Sequence, residues 1–494
     1  MRRPASQVAT DDEALKFMLS ESFQAWQIFL HPTQRRLVER GYSGPARVGG
    51  GPGTGKTIVA LHRVTHLARQ LPPGAGKPIL LTTFNRNLAA DLRTRLLALG
   101  GEEALARVEV VNIDRLAAQV VAENGERAPQ RKIDDSQMPQ LWRKFLADEI
   151  GDSVWDADFL AAEWEQVILG QALASRAACF KDRRPPRGRN ITRPEREQVW
   201  DLAERFARWL AAQGLITWRQ VAVRAAALAG PRYQHVVVDE AQDLSAAHWR
   251  MLRAMVSAGP DDMFLAGDTH QRIYDNRVTL GSLGINIRGR SSRLTLSYRT
   301  TRQILAAALE IMSGEAYDDL DGGQEDLDGY RSLLRGAAPR FHGAATWAQE
   351  RELIAGQLAD WGTPTDGSVA ICVPTRELAI EVVAHLQAAG IEPVEIGPDG
   401  PKRPDGVRSS PNTTYSLPQG EPTGRTRSSI RFEDARRSAG CEPPGLTFRF
   451  DPVPMIDDIL VQDPVVRPGS SRPPPSLVSS SAPAPLTAPK GTVS

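Results

Sequence analysis

The feature that most constrains this 494-residue chain is one run, Gly50-Gly51-Pro52-Gly53-Thr54-Gly55-Lys56-Thr57. So many glycines exclude the interior of a helix or strand and fit a turn whose backbone N–H groups wrap an anion. The β-prone residues Ala46, Arg47 and Val48 precede the run. Ile58, Leu61, Val64, Leu67 and Leu71 follow at helical spacing. Strand, glycine-rich turn and helix together form a phosphate cradle, in which the helix N-terminus adds its positive dipole end. On this reading Gly50, Gly51, Pro52, Gly53, Thr54 and Gly55 shape the loop, Lys56 meets the β- and γ-phosphates of a nucleotide, and the Thr57 hydroxyl ligates Mg²⁺.

Further β-prone runs lie at Ile79 to Thr83, Val108 to Ile113, His235 to Asp239, Met263 to Ala266 and Val369 to Val373, with helical periodicity between them. After the last, Leu378, Val382 and Leu386 share a helix face, and Gly390 is the expected C-cap. Strands alternating with helices predict α/β architecture with parallel sheets. The run Val236-Val237-Val238-Asp239-Glu240 brings two carboxylates to the C-terminal end of a buried strand, where parallel sheets place their sites. Asp239 is read as a Mg²⁺ ligand, and Glu240 as the group that orients and deprotonates an attacking water.

Composition bounds the rest. Lys+Arg of 60 against Asp+Glu of 59 excludes a polycation or an acidic tail protein, though not a local basic groove. Three cysteines exclude a disulfide framework. No apolar run approaches the ~18 residues of a membrane span, and the N-terminus lacks the apolar core of a secretory signal, so a cytoplasmic protein is expected. Residues of about 115–230 are rich in Ala, Leu, Glu, Arg and Trp at helical spacing and read as a helical insertion. Trp142, Trp155, Trp164, Trp200 and Trp209 fit its packing core better than a base-stacking platform. The basic cluster from Lys181 to Arg189 fits a solvated loop or phosphate contacts. Of the 36 prolines, 17 lie beyond position 400. With the serine there, this predicts a disordered tail over 409–494.

The blocks together resemble superfamily 1 helicases of the UvrD/Rep/PcrA type. Asp239-Glu240-Ala241-Gln242, followed by Asp243, resembles motif II. Leu30-His31-Pro32-Thr33-Gln34 resembles the upstream glutamine motif, which implies that Gln34 reads the adenine edge. Thr83-Phe84-Asn85-Arg86-Asn87 looks like motif Ia, implying that Phe84 and Asn85 touch single-stranded DNA. Gly267-Asp268-Thr269-His270-Gln271-Arg272-Ile273-Tyr274 looks like motif III. There Gln271 senses the γ-phosphate, and Tyr274 and Arg277 face DNA. Leu296-Ser297-Tyr298-Arg299-Thr300 resembles motif IV, with Tyr298 stacking on adenine and Arg299 reaching the γ-phosphate as an arginine finger. Taken alone, Tyr298 fits a core aromatic and Phe84 a packing residue.

The resemblance covers about residues 20–408. It implies two RecA-like P-loop domains with parallel sheets: 1–291 carrying the helical insertion, and 292–408, an incomplete second domain, ahead of the tail. It further implies ATP and Mg²⁺ as cofactors, single-stranded DNA and duplex junctions as partners, and ATP-driven 3′-to-5′ translocation with unwinding, in a role such as DNA repair. Three departures qualify it. Asn276 stands where motif III has a base-stacking aromatic. The large accessory domain usually inserted in the second motor domain is missing. Motifs V and VI are not found after Gly406-Val407-Arg408, where Ser409-Ser410-Pro411 begins the tail, so either a change of reading frame near codon 408 or a truncated family member with a natural disordered tail is expected. The alternative expectation is a chain that binds ATP and DNA but hydrolyses slowly and does not unwind.

Overall fold

The computed structural model describes residues 30–125, 131–172, 191–271, 279–361 and 369–402 apart from short gaps, together with 414–416 and 446–449. It divides into Met1–Val453 and Pro454–Ser494, and the second unit lies outside the described residues.

In chain order the first part runs α1 (Pro32–Glu39), β1 (Ala46–Gly50), α2 (Lys56–Gln70), β2 (Ile79–Thr83), α3 (Arg86–Ala106), β3 (Val108–Asn112) and α4 (Ile113–Glu123). An insertion follows: β4 (Arg131–Ile133), α5 (Met138–Glu149), α6 (Ala157–Ala162), a wide turn of helix at Glu163–Leu169, α7 (Arg193–Ala212) and β5 (Leu215–Thr217). The chain then returns through α8 (Trp218–Leu228), β6 (His235–Asp239), α9 (Ala246–Met255), β7 (Met263–Gly267) and β8 (Ser291–Leu294).

Six strands make one sheet, ordered β3-β2-β6-β7-β1-β8, and every pairing in it is parallel. The inner strands β2, β6, β7 and β1 are almost wholly buried because both faces of the sheet are covered, whereas the edge strand β8, Ser291-Ser292-Arg293-Leu294, is largely exposed. Alternate residues serve two cores. Leu80, Val236, Val238 and Leu265 pack with α4, α8 and α9. Val48, Ile79, Leu81, Val237, Phe264 and Ala266 pack with α1, α2 and α3. The α2 face read from the sequence is buried at Ile58, Leu61, Val64 and Leu67, and Leu71 caps the helix.

Three boundaries differ from the sequence reading. The break drawn between 291 and 292 falls inside β8, which pairs with β1 and extends the first sheet. The insertion read as 115–230 is narrower, because α4 and α8 pack into the core of the first sheet. The insertion's own core gathers residues from Ile133 to Leu215 and buries all five tryptophans. Helical periodicity marks a buried face but not the core that receives it, so the sequence pattern merged these helices. The basic cluster 181–189 lies outside the described residues.

Beyond β8, β9 (Leu296–Ser297) pairs parallel with β10 (Arg331–Ser332), separated in sequence by α10 (Arg302–Ile311). Then come β11 (Arg340–Gly343), α11 (Trp347–Trp361), β12 (Ala370–Cys372), α12 (Arg376–Ala388), β13 (Val394–Gly397), β14 (Gly400–Lys402), β15 (Thr414–Ser416) and β16 (Leu446–Arg449). Here the pairing departs from the parallel sheet expected for a second RecA-like domain. The order β12-β15-β13-β14 is antiparallel at every pairing, and β11 pairs antiparallel with β16. The short connection from β13 to β14 enforces a hairpin, since a parallel return needs a crossover of a dozen or more residues. Of the stretch read as a disordered tail, Thr414–Ser416 and Leu446–Arg449 are thus strands, and the remainder lies outside the described residues. Val382 and Leu386 of α12 are buried against Ile354 and Leu358 of α11, and Gly390 follows the helix at φ +76°. Among the described residues no helix is long and apolar enough to cross a membrane.

Trp142 is 1% exposed and stacks on Phe206 at 3.9 Å between ring centroids, with Phe145 and Trp164 against its edges. Trp142→Ala is expected to destabilise the insertion by about 3–5 kcal/mol while nucleotide affinity is retained. Urea unfolding followed by tryptophan fluorescence measures the first, and titration with a fluorescent ATP analogue the second. An unshifted unfolding midpoint refutes the assignment of this core.

Candidate active site

The sheet gathers the site by register. Gly49 of β1 lies beside Gly267 of β7, and Thr83 of β2 beside Asp239 of β6. The carboxyl ends of neighbouring strands therefore lie side by side, and the loop after β1, Asp239 at the end of β6 and Asp268 after β7 emerge together. The Lys56 ammonium donates to the carbonyl oxygens of Gly50 and Gly51 at 2.7 and 3.0 Å and pairs with the Asp268 carboxylate at 3.2 Å. Thr54 Oγ1 donates to the Gly51 carbonyl at 2.8 Å and closes the loop on itself.

Asp268 is buried and charged. Burial opposes its ionisation, but the Lys56 ammonium and His270 outweigh it and hold the carboxyl below its ordinary range. His270 contributes its backbone N–H at 3.1 Å and its ring Nδ1 at 3.0 Å, both to Asp268 Oδ1. Asp239 behaves oppositely. Burial, and then the neighbouring Glu240 carboxylate, push its carboxyl up, although the Thr57 hydroxyl bonds it. Its Oδ2 is buried with no hydrogen-bond partner among the described residues. A hydroxyl and a buried carboxylate oxygen in need of a cation are hard oxygen donors of the kind Mg²⁺ selects, so Thr57 and Asp239 fit that ion.

Glu240 sits at φ +54°, ψ +47°, a left-handed conformation that costs a non-glycine residue about 1–2 kcal/mol. Gln242 holds its side chain: Nε2 donates to Glu240 Oε2 at 2.8 Å, while Oε1 accepts the Asp268 N–H at 2.8 Å.

Gln34 and Tyr298, the residues read from the sequence as facing adenine, are also together. Gln34 is buried at the start of α1. Its Oε1 accepts the His31 N–H at 3.1 Å and its Nε2 donates to the Thr54 carbonyl at 2.8 Å, so both ends of the amide are joined to the chain around the loop. The Tyr298 hydroxyl stands 3.5 Å from Gln34 Nε2, and the Tyr298 N–H donates to the Gly53 carbonyl at 3.3 Å.

Of the other residues singled out, Phe84 is half-buried against the core of α4, α8 and α9. Asn85 caps α3, its side chain accepting the Asn87 N–H at 2.8 Å. Gln271 ends a short turn at Thr269–Gln271, and its side chain lies outside the described residues. Tyr274, Arg277 and Arg299 also lie outside them. Sequence reasoning gave Asp268, His270 and Gln242 no role of their own, because the contacts that join them into one site, Lys56 to Asp268 and Gln242 to Asp268, cross 212 and 26 residues of chain. It also passed over Trp218, whose ring has the Arg86 guanidinium at 5.4 Å and the Lys132 ammonium at 4.5 Å.

Residues 30–280 match the model of the UvrD/REP helicase N-terminal domain. Similar proteins include the ATP-dependent DNA helicase UvrD2 of Mycobacterium tuberculosis, 24% identical over 385 residues, covering 72% of this chain and 52% of that protein. The ATP-dependent DNA helicase UvrD1 of the same organism is 27% identical over 320 residues, covering 58% of this chain and 39% of that protein. The ATP-dependent DNA helicase PcrA of Leuconostoc citreum is 31% identical over 109 residues, 21% of this chain and 14% of that protein. The chain thus spans about half, or less, of the length of these curated relatives.

Gly55 has φ +85°, and a Cβ there would lie 1.7 Å from the Tyr298 hydroxyl and 3.3 Å from Gln34 Nε2. Gly55→Ala must therefore strain the backbone and expel Tyr298. It is expected to weaken binding of a fluorescent ATP analogue at least about tenfold, the equivalent of 1.4 kcal/mol. Unchanged affinity refutes the loop as the nucleotide site.

Proposed function

The chain belongs to the UvrD/REP helicase family, and we propose that it binds ATP·Mg²⁺ at this site and couples its hydrolysis to 3′-to-5′ movement on single-stranded DNA. The observation that carries the reading is the convergence of Lys56, Thr57, Asp239, Glu240 and Asp268 at the carboxyl edge of one parallel sheet.

On this reading Lys56 exchanges Asp268 for the β- and γ-phosphates. Gly50, Gly51, Pro52, Gly53, Thr54 and Gly55 wrap the phosphate oxygens, and Thr57 with Asp239 holds the metal. Bound Mg²⁺ neutralises charge that develops on the phosphate oxygens. Glu240 orients the water and takes its proton. Gln271 senses the γ-phosphate, and Arg299 approaches it from beyond β9 as the domains close. Gln34 and Tyr298 form the adenine side. Phe84 and Asn85, with Tyr274 and Arg277, are assigned to the DNA path. The cations beside Trp218 support this path, since single strands are held by basic grooves with aromatic platforms.

ATP turnover with and without single-stranded DNA tests the reading, and turnover that DNA does not stimulate refutes a translocase. Lys56→Ala is expected to abolish turnover because the phosphates lose their fixed cation. Glu240→Gln is expected to spare nucleotide binding and remove all but a residual rate of hydrolysis. Equal loss of binding in both variants refutes these roles.

Affinity for single-stranded DNA is expected to fall steeply with salt and to be indifferent to sequence. Fluorescence anisotropy of labelled oligonucleotides across a salt series measures both, and a flat salt response contradicts a phosphate-binding groove.

A further inference from the structure

The proposed mechanism gives Gln242 no step, yet both ends of its side-chain amide are held within the site. It is buried, 2% exposed. It donates from Nε2 to Glu240 Oε2 at 2.8 Å and accepts at Oε1 from the Asp268 N–H at 2.8 Å. A primary amide offers a donor and an acceptor on one planar group at that reach. The carboxylate of Asp268 in turn holds Lys56 at 3.2 Å. One amide thus joins the carboxylate after β6 to the strand end that carries the partner of the phosphate-loop lysine.

The surroundings are shaped for that amide. A Cβ on Gly267 would lie 2.7 Å from Gln242 Oε1 and 3.1 Å from the Ala241 Cβ. Gly267 is not among the residues with positive φ. Glycine is therefore needed there for space rather than for backbone freedom. Glu240 itself is held in a left-handed conformation, which aims its side chain but leaves three side-chain torsions to be restrained.

We propose that Gln242 is the positioning residue for Glu240, clamping its carboxylate against the Asp268 amide so that it faces the phosphate site with one orientation. The proposal rests on the reading above that Glu240 activates water for ATP hydrolysis. Gln242 binds neither nucleotide nor metal. Its loss therefore slows the chemical step and leaves ground-state binding in place.

The test uses the full chain. Gln242→Met keeps the length and removes both hydrogen bonds. Gln242→Glu keeps the acceptor for the Asp268 N–H but sets a second carboxylate against Glu240. Gly267→Ala displaces the amide without altering it. Each is expected to lower kcat about 10²-fold, the scale of a 1 Å misplacement, with KM and the affinity for a fluorescent ATP analogue within about threefold of the parent. In the Glu240→Gln background, Gln242→Met is expected to cause no further loss of residual turnover, because a group that acts through Glu240 has nothing left to position. A merely structural role moves the melting temperature and nucleotide affinity instead, and lowers turnover further in the double variant. Either of those results overturns the proposal, as does a Gln242→Met chain with the parent's kcat. A parent chain that binds the analogue but shows no turnover under any condition overturns the hydrolytic reading itself, and the two failures are thereby distinguished.

Discussion

Lys56 and Asp268 are 212 residues apart in the chain and 3.2 Å apart in space. The meeting depends on parallel pairing across β6, β7 and β1. Evenly spaced parallel hydrogen bonds keep neighbouring strands in step, so Val238 lies beside Leu265 and Gly49 beside Gly267. A slip of one residue in β6 would turn Val236 and Val238 away from α8 and α9 and carry Asp239 to the other face. The alternating burial that divides these strands between two cores is therefore also what aims the carboxylates. Each fully buried valine, leucine or isoleucine contributes about 1.5–3 kcal/mol toward that register.

The charges at this edge are not balanced, and the imbalance has a direction. Asp268 has both Lys56 and His270 and stays ionised despite burial. Asp239 has the Thr57 hydroxyl but also the like charge of Glu240, and one of its oxygens lacks a hydrogen bond among the described residues. Buried charge is tolerated only when paired. One carboxylate of the site is thus complete within the chain, and the other keeps an oxygen for a proton or, on the proposed function, for the metal. If ATP draws Lys56 from Asp268 while its metal settles on Asp239, both carboxylates change partner in one event. That exchange links the β6 and β7 strand ends to the nucleotide.

The legible parts of the sequence were those whose physics is local. The phosphate loop, the apolar strands and the α2 face are all set within a few residues, and Gly50 to Thr57 and Val236 to Glu240 stand where the pattern predicted. What the sequence concealed is long-range. Arg63 reads as a charge on the buried side of α2, yet it donates to the Val38 and Arg40 carbonyls, pairs with Asp261, and lies over the Tyr42 and Phe264 rings. Nothing near it in sequence announces those partners. Likewise β8 was assigned to a second domain because its place beside β1 depends on the returning chain rather than on its own four residues. Asn85, read as a DNA contact, also caps α3 through its side chain, which the sequence reading did not anticipate. A cap and a phosphate contact favour the same residue types at helix starts.

The segment after β8 lies against the phosphate loop at its least yielding point. Gly55 is the left-handed residue that opens α2, and the Tyr298 hydroxyl fills the space where any side chain on it would stand. The Tyr298 N–H is bonded to Gly53, and β9, which ends just before Tyr298, pairs with β10. A change in the loop between Gly53 and Gly55 therefore reaches the chain beyond the first sheet through direct contact, with no intervening flexible element. Interfaces packed this closely respond by moving from one arrangement to another rather than by deforming. On the proposed function, that contact carries occupancy of the nucleotide site toward Arg299, the next residue in the chain, and so couples hydrolysis to domain movement.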